Sequence, residues 1–207
     1  MTTLPTLPTA GQVRQQHYAI LPLPEPYAAL LGKLPRIKQF SILIFGKKGT
    51  RKSTFSLRLA ELFSSLTNKR TLYNTNEEPV GKGTLTLRLQ TLGIHDNRIQ
   101  FLSSRIFVEL VAYLETGDYA YCFVDSVNNF DVPDIELLNL QYRFPSVSFV
   151  FVSQVNKSGI AKANETLLHM VDAVYQIKKN IKTNKSTVYL EKDRYGATLF
   201  EMNISST

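Results

Sequence analysis

The chain has 207 residues, a net charge of +7 and 43% apolar residues, which suits one domain with a real core and excludes wholesale disorder. Its single cysteine, Cys122, excludes a disulfide-stapled scaffold and a four-cysteine zinc site. No apolar run is long enough to span a membrane and no signal peptide stands out, so a cytoplasmic protein without membrane contact is expected, and the positive charge favours a polyanionic partner.

In chain order, residues 1–26 hold five of the nine prolines and read as an extended arm, set apart from a single domain over 27–207. Tyr27–Leu34 reads as a short helix stopped by Pro35. Phe40–Phe45 is a continuous apolar run bounded by Gly46, the mark of a buried strand. Lys52–Thr67 carries Phe55, Leu59, Leu62, Phe63 and Leu66 at helical spacing. A strand over Arg70–Asn74, a helix over Thr84–Leu92 ending before Gly93, a strand over Ile99–Leu102 and a helix over Phe107–Leu114 follow. Tyr119–Val124 is a buried strand closed by Asp125. Asp134–Tyr142 is helical and Val147–Val152 is another apolar strand. Ala173–Lys178, Thr187–Glu191 and Thr198–Met202 show period-two character with short links, as in an antiparallel hairpin. Apolar strands alternating with amphipathic helices predict an α/β fold, a parallel sheet sandwiched by helices with a C-terminal antiparallel hairpin.

The most informative segment is Gly46-Lys47-Lys48-Gly49-Thr50-Arg51-Lys52-Ser53-Thr54, between a predicted strand and a predicted helix. A phosphate-binding loop belongs there, because a helix N-terminus offers free backbone N–H groups and a positive dipole. Lys52 would reach the β- and γ-phosphates of ATP or ADP, and the Ser53 hydroxyl would hold Mg²⁺. The usual pattern has glycine immediately before that lysine; here the residue is Arg51, so the match is to a relaxed form. The run Tyr121–Val124 ending in Asp125 has the Walker B form, and Asp125 would orient Mg²⁺. After the second strand, Glu77 or Glu78 is placed to polarise an attacking water.

Several strings together resemble the RecA-like ATPase core of the RadA/Sms recombination proteins, relatives of the DnaB-type helicases. Val155-Asn156-Lys157-Ser158-Gly159 and Leu167–Asp172 resemble that family's V-T-K-E-G and L-E-H-M-V-D. Lys192–Thr198 resembles K-N-R-F-G-A-T, and Phe200-Glu201-Met202 the family's terminal F-E-M. Tyr73–Glu78 is similar to Y-V-S-G-E-E, and Val124-Asp125-Ser126 to I-D-S. The resemblance covers about residues 30–203. It implies a RecA-like P-loop NTPase using ATP and Mg²⁺, with Lys52 and Ser53 on triphosphate and metal, Asp125 as the Walker B acid, Glu77 as catalytic base and Gln154 as γ-phosphate sensor. It further implies that Lys192 and Arg194 act as cationic fingers on the neighbouring subunit's nucleotide, and that Lys157 and Lys162 lie in a DNA-facing loop. The zinc finger and the C-terminal protease-like domain of that family are not expected here.

Residues 155–195 carry eight Lys/Arg against four Asp/Glu, a surface suited to phosphate tracking. Tyr175, Tyr189 and Tyr195 are the few aromatics there, so base readout is not expected. His17, His95 and His169 lack metal-ligand spacing, and His169 reads as a packing residue. Two functions follow. One is a DNA-binding ATPase that works as a homo-oligomer, ring or filament, on DNA (single-stranded by expectation) in recombination, repair or replication. The other is a nucleotide-binding structural or regulatory assembly protein with weak or no ATPase activity, the reading Arg51 favours.

Overall fold

The apolar runs of the sequence become parallel strands of one sheet in the computed structural model, which describes residues 7–36, 39–130, 132–155 and 165–204. They are β1 (Ser41–Gly46), β2 (Arg70–Thr75), β3 (Ile99–Leu102), β4 (Tyr119–Asp125), β5 (Ser148–Gln154) and β6 (Ala173–Lys179). Two antiparallel strands, β7 (Ser186–Lys192) and β8 (Glu201–Ile204), extend the sheet beyond β6. The spatial order is β3-β2-β4-β5-β1-β6-β7-β8.

Strand side chains alternate between faces, so a strand buried on both sides must be apolar throughout. In β1, Ile42 and Ile44 join the core on one face, while Leu43 and Phe45 join the core on the other. The first face is covered by α2 (Tyr27–Leu31), α3 (Lys52–Thr67) and α4 (Thr84–Leu92), which contribute Leu30, Leu31, Phe55, Leu59, Phe63 and Leu92. The second is covered by α5 (Phe107–Thr116), α6 (Asp134–Arg143) and α7 (Glu165–Met170), through Leu110, Leu114, Leu137, Leu138 and Leu167. Burying each such side chain contributes about 1.5–3 kcal/mol.

Some boundaries differ from the sequence expectation. The helix from Tyr27 stops at Leu31 because Gly32 takes φ +66° and packs against the main chain of residue 195; a Cβ at Gly32 would lie 2.5 Å from Tyr195 O. The last strand begins at Glu201 rather than Thr198. The amides of Thr198 and Leu199 donate to Ala29 O (2.8 and 2.9 Å), so this stretch is tied to α2 instead of to β7. Before Tyr27, the short helix α1 (Ala10–Arg14) carries a capping box from Thr9 and Gln12 and buries none of its residues. His169 is exposed rather than packed, since α7 turns Leu167 inward, and Tyr175 is wholly buried and unavailable for stacking. Among the described residues, no helix is long and apolar enough to cross a membrane.

Candidate active site

Parallel strands bring their C-terminal ends to one edge, and in an open α/β sheet that edge is the ligand crevice. Gly46 ends β1 there, in register with Gln154 of β5 and Ile177 of β6, while Asp125 of β4 stands beside Val152 of β5 and Thr75 of β2. Gly46 has no room for a side chain: a Cβ would lie 2.3 Å from Ile177 O. The turn that follows is closed by Thr50, whose amide and hydroxyl both donate to Lys47 O (3.3 and 2.8 Å). Lys47, Lys48 and Gly49 are exposed on its crest.

Arg51 is the N-cap of α3 and takes φ 70°, ψ 29°. This left-handed conformation is free of steric penalty for glycine and costs another residue roughly 1–2 kcal/mol. The departure from the usual motif therefore falls where the chain most needs glycine, yet the backbone keeps that conformation. Lys52 opens α3, is only 8% exposed, and donates from Nζ to Lys47 O at 3.1 Å. Burial pulls Lys52 below the usual lysine range, with Asp125 and Glu77 opposing the shift.

Asp125 is 5% exposed. Burial raises its pKa, and hydrogen bonds from the Ser53 and Tyr73 hydroxyls oppose the rise. Tyr73 donates to Asp125 Oδ2 at 3.0 Å, and its oxygen lies 2.6 Å from Ser56 Oγ, joining the floor of α3 to the acid on β4. A hydroxyl and a carboxylate that meet in this way offer hard oxygen donors, which fits Mg²⁺ held partly by protein and partly by substrate phosphates. Among the described residues, no group of three or more His, Cys, Asp or Glu could hold a metal by itself.

The two glutamates after β2 have different surroundings. Glu78 is ion-paired with Arg88 of α4. Glu77 is exposed, and its Oε1 accepts from Gln154 Nε2 at 2.6 Å and from Ser126 Oγ at 2.8 Å. Lys48, Gly49, Arg51, Lys52, Ser53 and Thr54 share with Glu77, Glu78, Arg88 and Gln154 a cleft of about 310 Å³.

Three supporting residues were missed in the sequence. Asn76 accepts from the Ser126 amide (2.8 Å) and from Asn129 Nδ2 (2.9 Å) and donates to Ser126 O (2.9 Å), stapling the ends of β2 and β4 together. Asn128 Oδ1 accepts from the Gln154 amide at 2.7 Å and so fixes the end of β5. Tyr73 is the third. The available signal was polar residues at the ends of apolar strands: Asn76 after β2 and Asn128-Asn129 after β4.

Lys192 and Arg194 are not brought to this cleft. Lys192 pairs with Val174 near the start of β6, which lies beside Leu43, three residues of β1 before Gly46 and toward the opposite edge of the sheet. At about 3.3 Å per residue that is roughly 10 Å along β1, and β7 stands two strands to the side of it, with the Lys192 side chain turned to α7 instead. The Lys192 ammonium donates to Leu168 O (3.3 Å), His169 O (2.6 Å) and Val171 O (2.6 Å) around the end of α7. An ammonium has three hydrogens, so all are engaged. Burial and the nearby Arg194 push Lys192 below the usual lysine range, and Asp172 opposes this. Arg194 donates from Nη1 to Asp172 Oδ1 at 3.2 Å and keeps just over half of its side chain exposed. Lys157 and Lys162 lie outside the described residues. Cys122 is fully buried, and burial pushes its thiol up, as expected of an inert core residue.

A mostly parallel sheet between two helical layers, with this loop after the first long strand and an antiparallel extension at the C-terminal side, defines the RecA-like α/β fold. Solved structures agree. The crystal structure of the RadB recombinase matches with a TM-score of 0.56 and 16% identity, over 81% of this chain and 87% of that one. A KaiC-like protein from the hyperthermophilic archaeon Pyrococcus horikoshii matches with a TM-score of 0.58 and 14% identity, over 86% of this chain and 89% of that one. No family model matches the sequence, and no curated protein matches it. At these identities the likeness establishes the fold.

Proposed function

We propose that this chain binds and hydrolyses ATP with Mg²⁺, binds DNA, and works as a homo-oligomer in recombination, repair or replication. The observation that carries the reading is the convergence of Lys52, Ser53, Asp125, Glu77 and Gln154, from four separate segments, on one edge of the sheet. Lys52 and the amides of the loop from Gly46 to Ser53 hold the β- and γ-phosphates. Ser53 and Asp125 would hold Mg²⁺, which when bound would offset phosphate charge. Glu77 accepts a proton from the attacking water, while Gln154, bonded to Glu77, ties that base to the end of β5 where the γ-phosphate is sensed. Since Lys192 and Arg194 lie far from their own cleft, their role as fingers is toward a neighbour's nucleotide. Arg194 is the readier of the two, because Lys192 must first leave three carbonyls. Lys157 and Lys162 contact DNA, single-stranded in the leading reading.

Phosphate release with and without single-stranded DNA tests this. Lys52→Ala and Arg194→Ala should each lose turnover, and mixing the two should restore part of it at interfaces that pair an intact cleft with an intact finger. Calorimetry that finds no heat with Mg²⁺ and ATP would overturn the reading. A second reading, an assembly protein with weak hydrolysis, is favoured by Arg51, whose side chain borders the cleft. A rise in turnover in Arg51→Gly, from a low wild-type rate, would support it.

A further inference from the structure

The turn between β6 and β7 gathers Lys178, Lys179, Lys182 and Lys185 within eight residues, with no carboxylate among them. All four are exposed, and none takes part in the ion pairs found among the described residues. The turn is built rather than frayed. The Asn180 amide donates to Lys185 O at 2.8 Å, and Asn180 Oδ1 accepts from the amides of Lys182 (2.9 Å) and Thr183 (3.2 Å). Beside it a trough of about 410 Å³ runs from the hairpin to β8, lined by Lys178, Asn180, Lys185, Thr187, Tyr189 and Asn203 among others, without an acidic side chain.

We infer that this hairpin and trough bind the sugar–phosphate backbone of nucleic acid, independently of base sequence. Four like charges held together without counter-charges repel one another, and a polyanion that displaces their counterions relieves the repulsion. The hydroxyl and amide groups of Thr187, Asn180 and Asn203 suit phosphate and sugar oxygens. Tyr189 is the aromatic residue lining the trough, and Lys178 Nζ lies over one face of it, 5.0 Å from the ring centroid, so the site offers no run of stacking platforms for bases. Ile181 at the tip is 92% exposed, but a lone apolar side chain does not anchor a protein to lipid. The hairpin also borders a groove of about 520 Å³ shared with Lys47, Lys48 and Val155, and Val155 immediately precedes the segment carrying Lys157 and Lys162. The inference rests on the DNA-binding reading and adds a second element to it.

Fluorescence anisotropy with labelled single-stranded and duplex 30-mers, over a salt series, tests it. The variants are Lys182→Ala with Lys185→Ala, the quadruple variant that adds Lys178→Ala and Lys179→Ala, and the same four positions as arginine. Each phosphate contact contributes about −0.7 to the log–log salt slope on single strands and about −0.9 on duplex. The quadruple alanine variant should therefore flatten the slope by about three and weaken binding at least tenfold at moderate salt. The double variant should do about half of that in slope, and the arginine variant should bind as wild type. An unchanged slope in the quadruple variant, while Lys157→Ala with Lys162→Ala weakens binding, would overturn this inference alone. A wild-type chain that binds neither oligonucleotide would overturn the DNA reading with it. Equal affinity for poly-glutamate of matched charge, or for phosphatidylserine vesicles, would reassign the patch to an acidic protein or a lipid surface.

Discussion

The two edges of the central sheet treat their lysines differently. At the C-terminal edge of the parallel strands, Lys52 is buried yet has, among the described residues, one carbonyl partner, Lys47 O. At the opposite edge, Lys192 is saturated by three carbonyls around the end of α7. A cation left short of partners in a buried place is poised to receive an anion, whereas a saturated one does structural work. The resemblance that assigns both lysines to nucleotide is thus separated by geometry into a ready group and an engaged one.

The most severe way to break this comparison is Gly46→Ala. The added methyl meets main chain, which cannot rotate away, so a loss of about 3 kcal/mol or more and of nucleotide binding is expected by thermal melting and calorimetry. Next is Lys192→Met, which leaves the carbonyls around the end of α7 without their donor. It should lower the melting midpoint by about 4–8 °C, equivalent to about 2 kcal/mol, whereas Arg194→Ala, with one half-exposed ion pair, should stay within about 0.5 kcal/mol. Equal shifts in these two variants would erase the distinction between them.

Asp125 sharpens the contrast through pH. Its native pKa lies above the unfolded value, so between the two values the native state binds more protons. Its contribution to stability is present below the unfolded value, near pH 4, and is lost as pH rises through the raised native value. Asp125→Asn should remove that loss, raising the nucleotide-free midpoint at neutral pH by a few degrees, on the order of 1 kcal/mol, while abolishing turnover. A lower midpoint in this variant, measured by calorimetric scans from pH 4 to 8, would contradict the account. A smaller effect belongs to Arg51. Arg51→Gly should gain about 0.5–1 kcal/mol by relieving the left-handed conformation, and Arg51→Val should lose at least as much, read from urea midpoints.

Much of this was legible in the sequence. Continuous apolar runs such as Ile42–Phe45 gave the strands, because burial on both faces leaves no polar positions to disguise the pattern. The turn after Gly46 and the acid at Asp125 were legible as strand ends, because an apolar run that stops at a glycine or a carboxylate marks its own boundary. What escaped depends on contacts remote in sequence. Asn76 and Asn128 act through main chain 50 and 26 residues away. The start of the last strand moved because Ala29 O, far upstream, captured the amides of residues 198 and 199. The separation of Glu77 from Glu78 needed Arg88 in place, and the engagement of Lys192 needed the end of α7.

The 2.3 Å that a methyl on Gly46 would leave to Ile177 O has a mechanical meaning. Between the loop proposed to hold phosphate and the strand that runs into the lysine-rich hairpin, the contact at this point is main chain against main chain. Lys178 follows Ile177 directly, so the base of the lysine-rich hairpin and the root of the loop share this one main-chain contact, and a substitution at Gly46 disturbs both.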